Sequence, residues 1–396
     1  MSLIEKVKDH QDEFIRWRRQ IHSNPELGFK EFETTRFIKE KLESWGIEAR
    51  SNGNVTGVIG TLEGCKPGTK TIALRADIDC LPVTEKSGLE FASKKTGLCH
   101  ACGHDLHVAT LLGTAYMLSQ YKNDLRGAVR FIFQPAEETL GGSLSMIENG
   151  ALDDVDCILG AHTWPDIDGG SIGVRKGAIM GASDSFRIIV KGKGGHAAHP
   201  HRSIDPVVIG AYIVTELQTI VSRRVAPLDS AVITIGHLEA GKVFNVIPEE
   251  CLLEGSVRSQ DRNVRKHLAE WIEDIAVHTA AGMGATAEVD YRFGVPPTVS
   301  KDELVDAVSD VVTALLGPDK LVKLTQPSMG SEDFAYYLDH VPGVFFRLGT
   351  GDDRPGTHTS LHNPEILFSE KAIPAGVVTF VGSVFKLTGS DMNVLR

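Results

Sequence analysis

The sequence predicts an α/β protein whose main domain, built on a mostly parallel sheet, is interrupted by a smaller α+β domain. Three observations lead there. A chain of 396 residues is too long for one ordinary hydrophobic core. Short apolar runs alternate with helical stretches through the first half, the rhythm of parallel strands joined by helical crossovers. From about Asp184 the order becomes β-α-β-β-α-β, the split βαβ pattern of a ferredoxin-like domain.

Each element has its own local reason. The N-terminal stretch is a helix, with Ile4, Val7, Phe14, Trp17 and Ile21 near helical spacing and Pro25 stopping it. A second helix covers 31–45, ending before Gly46. The runs TIALRADI (71–78), AVRFIF (128–133) and DCILGA (156–161) are buried strands; amphipathic helices at 105–121 and 142–149 lie between them. In the insert, 185–192, 230–238, 251–259 and 286–293 are strands, while 205–222 and 263–281 are helices. Pro296-Pro297 closes it. Helices return at 302–316 and 369–388. The main domain is therefore 1–184 with 295–396, and the inserted domain is 185–294.

Composition narrows the function. Lys plus Arg total 41 against 52 Asp plus Glu, a net charge of −11, which argues against a nucleic-acid backbone as partner. The first twenty residues are charged throughout and lack the apolar core of a signal peptide. The longest apolar stretch, around 207–214, falls short of a membrane span. Six cysteines in so long a chain make no disulfide framework, so a reduced, cytoplasmic protein is expected.

The densest chemistry is HACGHDLH, residues 100–107. Cys102 and His104 offer a thiolate and an imidazole around Gly103, which permits a sharp turn toward one ion. Alone, this pair reads as well as a buried Cys with a solvated His; a nucleophilic Cys–His pair is a lesser reading, because adjacency in sequence seldom gives the catalytic geometry. Glu137 and Glu138 follow the 128–133 strand at its C-terminal edge, where open α/β sheets gather their sites. Adjacent side chains diverge, so one can bind a metal while the other reaches a water. His162 follows the 156–161 strand, with Trp164-Pro165 expected to turn the chain, and His362 lies in a loop before the last helix. Each alone reads as an ordinary loop histidine. Together Cys102, His104, Glu138, His162 and His362 mix S, N and O donors, a set suited to Zn, Mn, Co or Ni rather than Mg or Ca. Five side chains exceed the needs of one tetrahedral ion, so two divalent ions per chain are expected. Asp77 and Asp79, ending the first buried strand, suit either loop capping or the second N–H of a ligand imidazole.

The segments RRQIHSNPELGF, LRADIDCLPV, HACGHDLH, FQPAEE, GKGGHAAHP, FNVIPE, GSEDF and LHNPE occur in this order across nearly the whole chain. In this arrangement the chain resembles the metal-dependent aminoacylase and carboxypeptidase family, in the branch of hippurate hydrolase and the auxin-conjugate amidohydrolases. The resemblance implies a metallopeptidase-like catalytic domain and places the family's metal ligands on Cys102, His104, Glu138, His162 and His362. It makes Glu137 the general base. It also implies that the insert is a lid and dimerisation domain, with His196 reaching toward the partner subunit's site and Asn245 and Arg258 facing the substrate carboxylate. Without the resemblance, His196 reads as part of a glycine-rich hairpin, Asn245 as a turn residue and Arg258 as a solvated strand residue. The wider family has a ligand His where this chain has Asp77; the Cys102/His104 pair is this branch's substitute. The implied activity is hydrolysis of N-acetyl- or N-benzoyl-amino acids to a carboxylate and a free amino acid. GAIMGASDSF (177–186) resembles the hippurate-hydrolase version of this segment, which implies a lean toward N-benzoylglycine-like substrates. The rival readings are a dipeptidase or carboxypeptidase on the same scaffold, a non-catalytic binding protein, and a thiol hydrolase using Cys102.

Overall fold

Ser2 starts the first helix, α1 (Leu3–His22), of the computed structural model, which describes residues 1–396. The Ser2 hydroxyl accepts from the Glu5 N–H, and the Glu5 carboxylate accepts from the Ser2 N–H. This reciprocal cap satisfies donors that a helix start otherwise leaves open. The core-facing stripe is Leu3, Val7, Phe14, Trp17 and Ile21; Ile4, expected on it, is exposed. α2 (Phe32–Ser44) buries Thr34, Ile38 and Leu42, spaced by four along one face.

By internal contacts the chain forms two units. The larger contains Met1–Gly177, Val299–Gln326 and Asp333–Arg396. It carries β1 (Glu48–Ser51), β2 (Val58–Glu63), β3 (Lys66–Asp77), α3 (His104–Gln120), β4 (Arg126–Gln134), β5 (Cys157–Asp168) and β6 (Ile172–Val174). They join an eight-stranded sheet in the order β1-β2-β4-β3-β5, then Gly343–Gly351, β6 and Leu321–Lys323. The central run from β4 through β3 and β5 to Gly343–Gly351 is parallel. β3 from Ile72 to Asp77 and the whole of Gly343–Gly351 are buried on both faces, which explains their unbroken apolar reading.

Two expectations are corrected here. The chain does not turn at Trp164-Pro165. β5 continues to Asp168, because Gly343–Gly351 lies parallel to it from Gly343 opposite Ile158 to Gly349 opposite Trp164. That partner strand, buried along its whole length, was not foreseen. Nor is the helix after residue 104 amphipathic. α3 is buried almost throughout, packed on α1, β3 and the Ala372–Thr388 helix, with apolar residues on all its sides after the polar first turn.

A buried ionic cluster fixes the start of α3. Asp105 lies 2.9 Å from Arg18 Nε and 2.9 Å from His22 Nδ1, and His22 Nε2 is 3.1 Å from Glu85. Burial opposes a charge on His22, but Asp105 and Glu85 outweigh it and push the imidazole up to about 9. α1 therefore holds the residue next to His104 through paired, desolvated charges, whose loss on one side is strongly destabilising.

The smaller unit contains Ala178–Thr298 and Pro327–Glu332. Four antiparallel strands lie in the order Ala231–Ala240, Glu250–Ser259, Ala182–Lys191, Thr286–Val295. The helices Pro206–Thr219 and Arg262–Gly282 cover one face, capped by Asp205 and Asp261. Phe186, Ile188, Val190, Ile213, Leu217, Leu253, Val257 and Ile272 form its core. No helix of the chain is long and apolar enough to cross a membrane.

Candidate metal centre

Gly103 turns the chain into α3 with φ 84°, and a Cβ there would stand 2.8 Å from Thr163. Both the left-handed backbone and the close approach demand glycine. Its neighbours Cys102 and His104 are buried together, pinned by the Thr163 hydroxyl, which donates to the Cys102 carbonyl at 2.7 Å. β4 ends at Gln134, and Ala136 adopts φ 51° before Glu137 and Glu138. His162 stands inside β5, not beyond its end as the sequence reading had it. Its Nδ1–H donates to the Thr163 carbonyl at 2.8 Å, leaving the Nε2 lone pair 3.3 Å from Cys102 Sγ. His362 has φ 69°, and its N–H donates to the Ala101 carbonyl at 3.0 Å.

The structure brings all five expected donors together. Cys102, His104 and His162 form one group with donor atoms within 4.8 Å of one another; Cys102, Glu138 and His362 form a second; His104, Glu137 and Glu138 form a third. His362 Nε2 lies 3.5 Å from Glu138 Oε1, and Glu137 Oε2 lies 4.0 Å from His104 Nε2. Strained left-handed residues at Ala136 and His362 flank the cluster, where such cost is commonly tolerated for function.

The two aspartates divide their work. His104 Nδ1 donates to the Asp79 carbonyl at 3.0 Å and stands 3.1 Å from its carboxylate, while Asp79 Oδ2 accepts from the Glu138 N–H at 3.1 Å. Asp77 instead accepts from His107 Nδ1 at 2.5 Å and from Arg75 at 2.7 Å. His107 Nε2 in turn accepts the Thr163 N–H at 2.8 Å, which sets its tautomer and keeps it from acting as a ligand. Sequence reasoning gave His107 and Arg75 no role. The available signal was that His107 lies three residues after His104 on one helix, hence on the same face.

Protonation follows burial. Burial, with Glu138, Glu137 and Asp77 adding to it, pushes the Cys102 thiol well above its ordinary value. Burial opposes charge on His104, but Asp77, Asp79 and Glu138 push it up to about 10. Burial and the neighbouring His107 hold His162 well below the usual imidazole range. Burial likewise opposes charge on Asp77, yet His104, His107 and Arg75 keep it ionised. His104 Nε2 and Glu138 Oε1 are buried with no hydrogen-bond partner. Two such orphans on converging side chains are costly unless a cation satisfies them. Thiolate, imidazole and carboxylate donors together fit a first-row transition ion.

The remaining expected residues belong to the smaller unit. His196 pairs with Val246 in a short ribbon, and the Ala197 N–H donates to the Asn245 carbonyl at 3.2 Å, so His196 and Asn245 are neighbours. The Ala198 N–H donates to His196 Nδ1 at 3.1 Å, leaving an exposed Nε2–H free to donate. Arg258 lies on the Glu250–Ser259 strand with Nη1 3.3 Å from Ser331 Oγ.

Comparison with known proteins points the same way. An N-acetyl-L-cysteine deacetylase of Bacillus subtilis (strain 168) is 41% identical over 374 residues, covering 94% of this chain and 86% of that one. Thermostable carboxypeptidase 2 of Saccharolobus solfataricus is 40% identical over 386 residues, covering 96% and 97%. The crystal structure of the Bacillus subtilis YXEP protein, described as a dinuclear metal binding peptidase from the M20 family, superposes with a TM-score of 0.86. It is 36% identical and covers 97% of this chain and all of its own. The model of peptidase family M20/M25/M40 matches residues 73–386, and with relatives alike along nearly their whole lengths, this chain belongs to that family.

Proposed function

We infer that the protein hydrolyses the amide bond of N-acyl-amino acids, N-acetyl or N-benzoyl, to a carboxylate and a free amino acid. The observation that carries this reading is the pair of buried atoms without a hydrogen-bond partner, His104 Nε2 and Glu138 Oε1, converging with Cys102, His162 and His362 beside Glu137. The relative described as dinuclear supports two divalent ions per chain, held by these five residues. The mixed donors favour Mn, Zn, Co or Ni. When bound, such ions polarise a carbonyl and lower the pKa of water.

The chain's own residues do the rest. Glu137, almost fully buried, takes the proton of the attacking water and delivers it to the departing amine nitrogen. Asp79 holds the tautomer of His104, and the Asp77–His107–Thr163 chain braces the strand carrying His162. His196 donates from Nε2 to the oxyanion, and Asn245 and Arg258 receive the substrate carboxylate. The smaller unit is the lid and pairs two copies into a homodimer. Its edge strand Ala231–Ala240 exposes Val232 and Leu238, and Val207, Val208 and Tyr212 of the Pro206–Thr219 helix are also exposed. Sedimentation as a monomer at micromolar concentration would remove that part. A cytoplasmic setting accords with six unpaired cysteines.

The test is a panel of N-acetyl- and N-benzoyl-amino acids and dipeptides, with and without added Mn or Zn. Release of acetate or benzoate from the N-acyl-amino acids is expected. The carboxypeptidase among the relatives favours a second reading, which faster cleavage of dipeptides would establish instead. No product from any member would leave a binding protein.

A further inference from the structure

Glu31 sits at the entry to α2, completely buried, and the reading above gives it no role. One carboxylate oxygen accepts the Ala136 N–H at 2.9 Å, and the other accepts the Thr56 hydroxyl at 2.5 Å. Ala136 is the residue whose left-handed backbone aims Glu137 and Glu138. An L-residue is disfavoured in that conformation, so something must hold it there. Gly28 closes over the same residue: a Cβ on it would stand 3.0 Å from the Ala136 Cβ. Two further bonds fold the loop on itself, Leu140 N–H to the Glu137 carbonyl at 2.8 Å and Gly142 N–H to the Ala136 carbonyl at 3.2 Å. Asp79 grips the other end through the Glu138 N–H. The peptide N–H groups on both sides of Glu137 therefore end on buried carboxylates. Asp79 also reaches His104 directly; Glu31 hydrogen-bonds neither an expected ligand nor Glu137, and its bonded route to the centre runs through the backbone of Ala136.

We propose that Glu31 is a positioning residue that holds the Ala136 backbone so that Glu138 meets the metal and Glu137 meets the water. The proposal rests on the metal-centre reading of these two glutamates. Burial pushes the Glu31 carboxyl up to about 7. Its bonds survive either way: a neutral carboxyl still accepts from Ala136 and donates to Thr56, whose hydroxyl serves as donor or acceptor. The charge is therefore dispensable and the reach is not.

The experiment compares Glu31→Gln and Glu31→Ala in the full chain, each loaded with Co(II) and read by its visible absorption spectrum without substrate, then by kcat and KM. Glu31→Gln is expected to keep the wild-type spectrum and kcat within about threefold, because both bonds remain. Glu31→Ala is expected to change the cobalt spectrum and lower kcat by up to about 100-fold with little change in KM, the scale set by ~1 Å misplacement of a reacting group. If Glu31→Ala does not fold, Glu31→Asp takes its place with the same two expected changes, since it withdraws the carboxylate by one methylene. A purely structural role would lower the melting temperature while leaving spectrum and kcat per folded molecule as in wild type, and that result overturns the proposal. The spectrum is read without substrate, so an error in the amidase reading leaves this arm intact. A wild-type chain that takes up no cobalt would overturn the metal reading and this proposal together.

Discussion

Glu137→Gln is expected to retain the wild-type metal complement and lose at least about 100-fold in kcat, the usual size of general-base catalysis. Gln keeps the shape of the side chain and removes only its ability to take a proton. The distances make the separation of roles clean. Both carboxylates stand near His104, but Glu138 Oε1 also lies 3.5 Å from His362 Nε2 and Glu138 groups with Cys102, whereas Glu137 groups with neither Cys102 nor His362. The same substitution at Glu138 is expected to lower metal content as well. Elemental analysis alongside kcat on the best acyl-amino acid distinguishes the two. A Glu137→Gln enzyme that turns over normally would take Glu137 out of the mechanism.

Removing the metal has the other large effect. Chelation is expected to abolish hydrolysis, and adding back Mn, Zn, Co or Ni to restore it, which would also exclude Cys102 as a nucleophile. The pH dependence of that uptake has a definite sign. In the metal-free chain burial and the surrounding carboxylates keep the Cys102 thiol protonated, and His104, pushed up to about 10, carries a proton as well. Both protons must leave when a cation takes their places. Affinity therefore rises with pH, by about tenfold per pH unit for each proton displaced and about 100-fold for two. Competition with a chelator of known affinity at several pH values measures the slope. Cys102→Ser removes one of these protons and a soft donor, so its slope should fall by about half while its affinity drops. A wild-type affinity independent of pH would contradict the assigned donors.

Much of this centre was legible before any coordinates. Cys102, His104, Glu138, His162 and His362 are reactive residue types, uncommon enough in such contexts that ordered motifs single them out. Gly103 could be read as a turn because only glycine takes φ 84° against a neighbouring side chain without strain. Other parts were not legible. The Gly343–Gly351 strand is covered on both faces, so no alternation betrays it, and without it the continuation of β5 past Pro165 is unexpected. Asp77 and Asp79 look alike in sequence. Only their hydrogen bonds show that one orients His104 and the other holds His107 against Arg75.

The amino-acid order alone determined the α/β class, most of the local elements and the donor chemistry of the candidate site, because these depend on short-range periodicity and on single residues. Tertiary structure decided which carboxylate hydrogen-bonds which histidine, which candidate donors burial and neighbouring charges hold protonated, and that Glu31 answers Ala136 across 105 residues of chain. The physical reason is that pairing and protonation are set by burial and by the register of distant strands. Neither is a property of any one stretch of sequence.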